Sequence, residues 1–144
     1  MFFGQFEHSI DNKGRLTIPA KFKEALAGGV VITRGLDGCL WAFTKEEWRA
    51  VSQKIAGLTM ANTDARRFTR FIFSGATDAI PDRAGRVVIP QNLQEYAGIN
   101  GEAVVAGMLN RLEIWNPQRW ADEQQTMTED PETLAAHLAD LGIL

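Results

Sequence analysis

Apolar and polar residues alternate with period two through Leu16-Thr17-Ile18, and Pro19 closes the run, so these positions predict a short strand. In the matching segment Val87-Val88-Ile89, which is apolar throughout and also closed by a proline, Pro90, a second short strand is expected. Each proline opens a short helix, over Ala20–Leu26 and Gln91–Ala97. Continuous apolar runs, Val30-Val31-Ile32-Thr33 and Ala103-Val104-Val105, then predict buried strands. The turns Gly35-Leu36-Asp37-Gly38 and Gly107-Met108-Leu109-Asn110 follow, with Gly38 and Asn110 expected in the left-handed region. Strands over Cys39–Phe43 and Arg111–Trp115 return from these turns.

Helix starts are legible too. Thr44-Lys45-Glu46-Glu47 has the form of a capping box, with Phe43 before the cap and Trp48 after it as a hydrophobic staple. Asn116-Pro117 between Trp115 and Trp120 repeats the staple, which predicts near-symmetric burial of Trp48 and Trp120. A linker around Gly57–Thr63 precedes a helix over Asp64–Ser74, whose Phe68, Phe71 and Ile72 share a face that Arg66, Arg67 and Arg70 avoid. Asp130-Pro131 caps a last helix with Leu134, Leu138 and Leu141 in a stripe, stopped by Gly142.

Laid against itself, the chain repeats. Asp11-Asn12-Lys13-Gly14-Arg15-Leu16-Thr17-Ile18-Pro19 recurs 71 residues later as Asp82-Arg83-Ala84-Gly85-Arg86-Val87-Val88-Ile89-Pro90. Downstream the correspondence pairs Gly35 with Gly107, Phe43 with Trp115 and Trp48 with Trp120. Two copies are too few for a solenoid, so a pseudo-symmetric pair is expected in which each half covers the other's apolar face. The organisation expected is a first repeat over 1–50, connecting helices over 51–77, a second repeat over 78–121 and an acidic helical tail over 122–144.

Composition narrows the function. With 144 residues, 45% hydrophobic and 23% charged, the chain is globular in character. The net charge of −3 is unevenly placed: residues 1–112 carry +3 and residues 113–144 carry −6. One cysteine, Cys39, allows no internal disulfide, and the N-terminus has no basic segment leading into an apolar one. A cytoplasmic protein with no membrane partner is expected.

Catalytic patterns are missing: there is no G-x-S-x-G elbow, no G-x-x-x-x-G-K loop and no H-E-x-x-H. His8 and His137 lie in different elements without further ligands to cluster around them, and no cofactor or metal is expected. Cys39, with no activating partner in view, suits packing or a turn better than nucleophilic chemistry. What remains is the Asp-x-x-Gly-Arg pair. In its structural reading the carboxylates of Asp11 and Asp82 cap backbone amides and pair with the arginine four residues on, while Gly14 and Gly85 supply the positive φ. In its functional reading the loops present cations to nucleic acid. Arg15 and Arg86 fork onto guanine edges, whereas Lys13, Lys21 and Arg83 meet phosphates. Lys21, Lys23 and Arg34 add charge to the first copy only, so the halves are expected to contribute unequally.

These motifs, together with Met1-Phe2-Phe3-Gly4, His8-Ser9-Ile10, Arg66-Arg67 and Phe73-Ser74-Gly75-Ala76, resemble the bacterial MraZ family over roughly residues 1–125. The resemblance implies an α+β fold: a pseudo-two-fold swapped-hairpin β-barrel like that of AbrB and SpoVT, built from two internal repeats with flanking helices. It also implies ring-shaped homo-oligomers and a nucleoid-associated transcriptional regulator. Such a regulator binds short direct repeats in double-stranded promoter DNA, upstream of its own operon for division and cell-wall synthesis. A second reading stays open, an oligomeric protein-interaction or antitoxin-like module whose arginines only hold turns.

Overall fold

The computed structural model describes residues 1–144. Strands β1 (Gln5–Ser9) and β2 (Arg15–Thr17) lead through a 3-10 turn, Ala20–Phe22, into α1 (Lys23–Leu26). The hairpin β3 (Val30–Arg34) and β4 (Leu40–Thr44) follows, then α2 (Lys45–Ala56) and α3 (Thr63–Ser74). The second half repeats the order with β5 (Thr77–Ala79), β6 (Arg86–Val88), α4 (Gln91–Ala97), β7 (Glu102–Gly107), β8 (Leu112–Trp115) and α5 (Pro117–Glu129). A last helix, α6 (Pro131–Asp140), is added, and α5 runs unbroken across residue 122.

The two repeats exchange strands. The six-stranded sheet has the order β1-β7-β8-β4-β3-β5, all its pairs antiparallel. Each repeat's first strand therefore lies against the other repeat's hairpin, β1 on β7 and β5 on β3, and the hairpins meet through β4 and β8, where Trp41 faces Glu113. Apart from this sheet, β2 and β6 form a two-stranded ribbon in which Leu16 faces Val87. Period two puts both side chains inward, and Leu16, Ile18, Val87 and Ile89 pack with Val30, Ile32, Leu40, Val105, Leu112 and Ile114 in the main core. The opposite sheet face is covered differently in each half, by α2 and α3 over the first hairpin and by α5 over the second, where Cys39, Val104, Ala106, Trp115 and Trp120 cluster.

The mixed helix-and-strand class holds, but the sheet does not close into the barrel that the resemblance implied. β1 and β5 remain edges, and β2 joins the large sheet only through the bridge of Ile10 with Leu16. The hairpins also differ from the expected correspondence. Gly35 donates its N–H to the Cys39 carbonyl as Met108 does to that of Arg111, so Met108, not Gly107, is the counterpart of Gly35 and the second turn is one residue shorter. Its left-handed residue is Leu109 (φ 65°) rather than Asn110; the first turn uses Asp37 and Gly38. Leu109 is held there by two backbone hydrogen bonds with Phe2.

Candidate nucleic-acid interface

Both Asp-x-x-Gly-Arg segments fold into the same turn. Asp11 Oδ1 accepts from the N–H of Lys13 at 3.0 Å and of Arg15 at 2.9 Å, and Oδ2 accepts from Arg15 Nε at 2.6 Å. Asp82 repeats this with the N–H groups of Ala84 (3.0 Å) and Arg86 (2.9 Å) and with Arg86 Nε (2.9 Å). The backbone N–H of Arg15 above all, with its side chain, holds the Asp11 carboxyl below its ordinary range, and Arg86 acts likewise on Asp82. Gly14 (φ 76°) and Gly85 (φ 74°) close the turns in a conformation that side chains disfavour.

Each turn is braced by the other repeat. Ile89 donates its N–H to the Gly14 carbonyl at 2.7 Å, and Ile18 donates to that of Gly85 at 2.8 Å. The turns thus flank one ribbon, whose outward positions are Arg15 opposite Val88 and Thr17 opposite Arg86. Arg86 Nη1 also approaches Asp11 Oδ2 at 4.0 Å, so the two motifs share an edge of charge. Both arginines are about one-third exposed, and the contact with its own aspartate engages one of each guanidinium's five donors.

The remaining candidate cations are placed less uniformly. Lys13 and Arg83 are exposed on the turns and make no ion pair. Lys21 is exposed with its ammonium 4.6 Å above the Phe3 ring, and no hydrogen bond or ion pair joins it to the Asp–Arg cluster. Arg34 is tied to the end of α3, donating to the Phe71 carbonyl at 2.9 Å and stacking over its ring. Lys23 corrects the expectation that the extra lysines serve the first copy. Its side chain lies against Gly85, where an added Cβ would meet Nζ at 3.0 Å. The matching neighbour of Gly14 is Gln94, which donates to the Ile89 carbonyl at 2.7 Å. The second turn is thus the one with a lysine beside it, supplied by the first repeat; only the 71-residue spacing that pairs Lys23 with Gln94 hinted at this.

Cys39 is fully buried, donates to the Leu36 carbonyl at 3.2 Å, and has its thiol pushed up by burial to about 12. A thiol so protonated at neutral pH supplies no nucleophile. No helix is long and apolar enough to cross a membrane.

Comparison with known proteins agrees with the internal repeat. A family described as "MraZ protein, putative antitoxin-like" matches residues 1–71 and again residues 72–141, so the second match covers the whole of α6 and extends beyond the limit near residue 125 that the motifs had implied. Three similar curated proteins, each named transcriptional regulator MraZ, span essentially the whole chain. The relative from Syntrophomonas wolfei is 43% identical, covering 99% of this chain and 100% of its own. That from Clostridium beijerinckii is 45% identical over the same shares, and that from Roseiflexus castenholzii is 45% identical over 98% and 99%.

Proposed function

The chain belongs to the MraZ family, and from that membership we propose that it is a sequence-specific DNA-binding regulator of transcription that reads base edges with its paired turns. The observation that carries this reading is the outer face of the β2–β6 ribbon. Two guanidinium groups, each oriented by one bond from its own aspartate, keep their remaining donors available there, and a two-stranded ribbon fits the major groove. Arg15 and Arg86 fork onto guanine; Val88, 52% exposed between them, suits a thymine methyl. Lys13, Lys21 and Arg83 neutralise phosphates, and Lys23 adds to them beside the second turn. Asp11, Gly14, Asp82 and Gly85 hold the turns.

The regulator's target on this reading is a set of short direct repeats upstream of its own operon in the division and cell-wall cluster, bound by a closed ring of copies. Such a ring would cover the exposed Leu134, Leu138 and Leu141 stripe. The protein would work in the cytoplasm at the nucleoid. The second reading, a protein-binding antitoxin-like module, is favoured by one observation, that both arginines are already paired with carboxylates.

Gel shift of the purified chain on its own upstream DNA separates the two. Arg15→Ala should weaken specific binding by about 1–3 kcal/mol per engaged site while the melting temperature holds. Unchanged affinity at moderate salt rejects base reading by Arg15. Loss of binding together with loss of the fold returns the arginine to a purely structural role.

A further inference from the structure

On the sheet face away from the β2–β6 ribbon, a groove of about 480 Å³ opens between β5 and α2, lined by Val31, Lys45, Trp48, Arg49, Thr77 and Asp78, with Ala76 at its edge. The internal repeat supplies its control. The equivalent groove in the second half is lined by Val104, Pro117, Trp120, Ala121, Gln5, Phe6 and Glu7, and has about half the volume, 240 Å³. There the chain fills its own site: Gln5 Oε1 accepts from the Trp120 indole N–H at 3.1 Å and from Gln124 Nε2 at 2.9 Å, and Trp120 is buried. In the first half Ala76 occupies the place of Gln5 and offers no acceptor, so Trp48 remains half-buried. Lys45 and Arg49, one helical turn apart, replace Pro117 and Ala121.

On one backbone frame, then, an acceptor has been removed and two cations added around an indole whose other side is fixed by Phe43 and Phe73, each with its ring centroid 5.7 Å away. Asp78 gives the groove a single carboxylate that can accept from hydroxyl or amino groups. We propose that this groove binds a small organic anion of mononucleotide size, its planar body against Trp48, its anionic group on Lys45 and Arg49, and its hydroxyl or amino donors on Asp78. The site is independent of the DNA reading, since it shares no residue with the turns.

The probe is adenosine monophosphate, titrated by calorimetry into the full chain, with inorganic phosphate and adenosine as separate arms. Saturable binding of one nucleotide per chain is expected, weakened at least tenfold by Arg49→Ala and abolished by Ala76→Gln, which rebuilds the self-filling contact of the second half. Arg15→Ala should bind as the parent does. Circular dichroism and melting of the two groove variants should match the parent, because residue 49 is exposed and residue 76 only half-buried. No saturable binding overturns the proposal, as does binding that survives both groove variants or is lost in Arg15→Ala. Phosphate competing as strongly as the nucleotide, or adenosine binding as tightly, overturns the assignment of the planar body or of the anionic group respectively. If Ala76→Gln alone perturbs the fold, the Arg49→Ala result decides.

Discussion

Asp11 and Asp82 do the same work with the same atoms, so their chemistry can be tested as a pair. Both carboxyls titrate below the ordinary value of 3.8, chiefly because a backbone N–H, from Arg15 or Arg86, binds the charged form. A depressed folded-state value means that their contribution is fully present above 3.8 and is lost as pH falls through the lower folded value. Asp11→Asn and Asp82→Asn should each lower the melting temperature at neutral pH and flatten its fall below pH 3.8, read by melting across an acid series. An unchanged acid slope in the double variant would show that the turns do not depend on charge. Gly107 illustrates a different constraint at this scale, for a Cβ there would overlap the backbone of Phe2 and Phe3. Glycine is needed at this position because the N-terminal segment lies directly against it, with the Gly107 N–H donating to the Gly4 carbonyl at 2.8 Å.

Elements that match in sequence diverge in their surroundings. Thr44 Oγ1 caps α2 by accepting from Glu47 N–H at 3.1 Å, and Asn116 caps α5 through the N–H groups of Gln118 and Arg119. Both staples form, with Phe43 and Trp48 at 5.7 Å and Trp115 and Trp120 at 5.5 Å between ring centroids. The expected symmetry of burial does not follow, because Gln5 closes over Trp120 while Ala76 leaves Trp48 open. Trp120→Ala should therefore cost about 3–5 kcal/mol by denaturant unfolding, and Trp48→Ala distinctly less. Equal losses would contradict the asymmetry of the two grooves.

For the molecule as a whole, strand exchange makes each turn a joint product of both repeats, and charge is shared the same way. Lys23, from the first repeat, stands at the second repeat's turn where Gln94 stands at the first. On the DNA-binding reading, Lys23→Gln should reduce the slope of log affinity against log salt by about 1, and Gln94→Lys should increase it by about as much. Binding measured over a salt series gives both slopes. No change in either would place the phosphates away from this side of the turns. On the same reading the acidic C-terminal segment works against tight DNA binding by a single chain, since residues 113–144 carry −6 against +3 in the rest.

The turn motifs, the caps and most helix and strand spans were legible in the sequence because their bonds close within a few residues. Asp11 reaches Arg15, Thr44 reaches Glu47, and period two sends Leu16 and Val87 inward wherever the ribbon lies. The repeat likewise announced a pseudo-symmetric pair. Its tertiary partners were another matter: that β1 belongs to β7 and β5 to β3, that the sheet stays open, and that Lys23 meets Gly85 are contacts between residues some forty-five to a hundred positions apart. No local periodicity encodes such pairings. The difference between Trp48 and Trp120 depends on what an exchanged strand places above each indole, Ala76 or Gln5, and only the folded chain brings those strands and helices together.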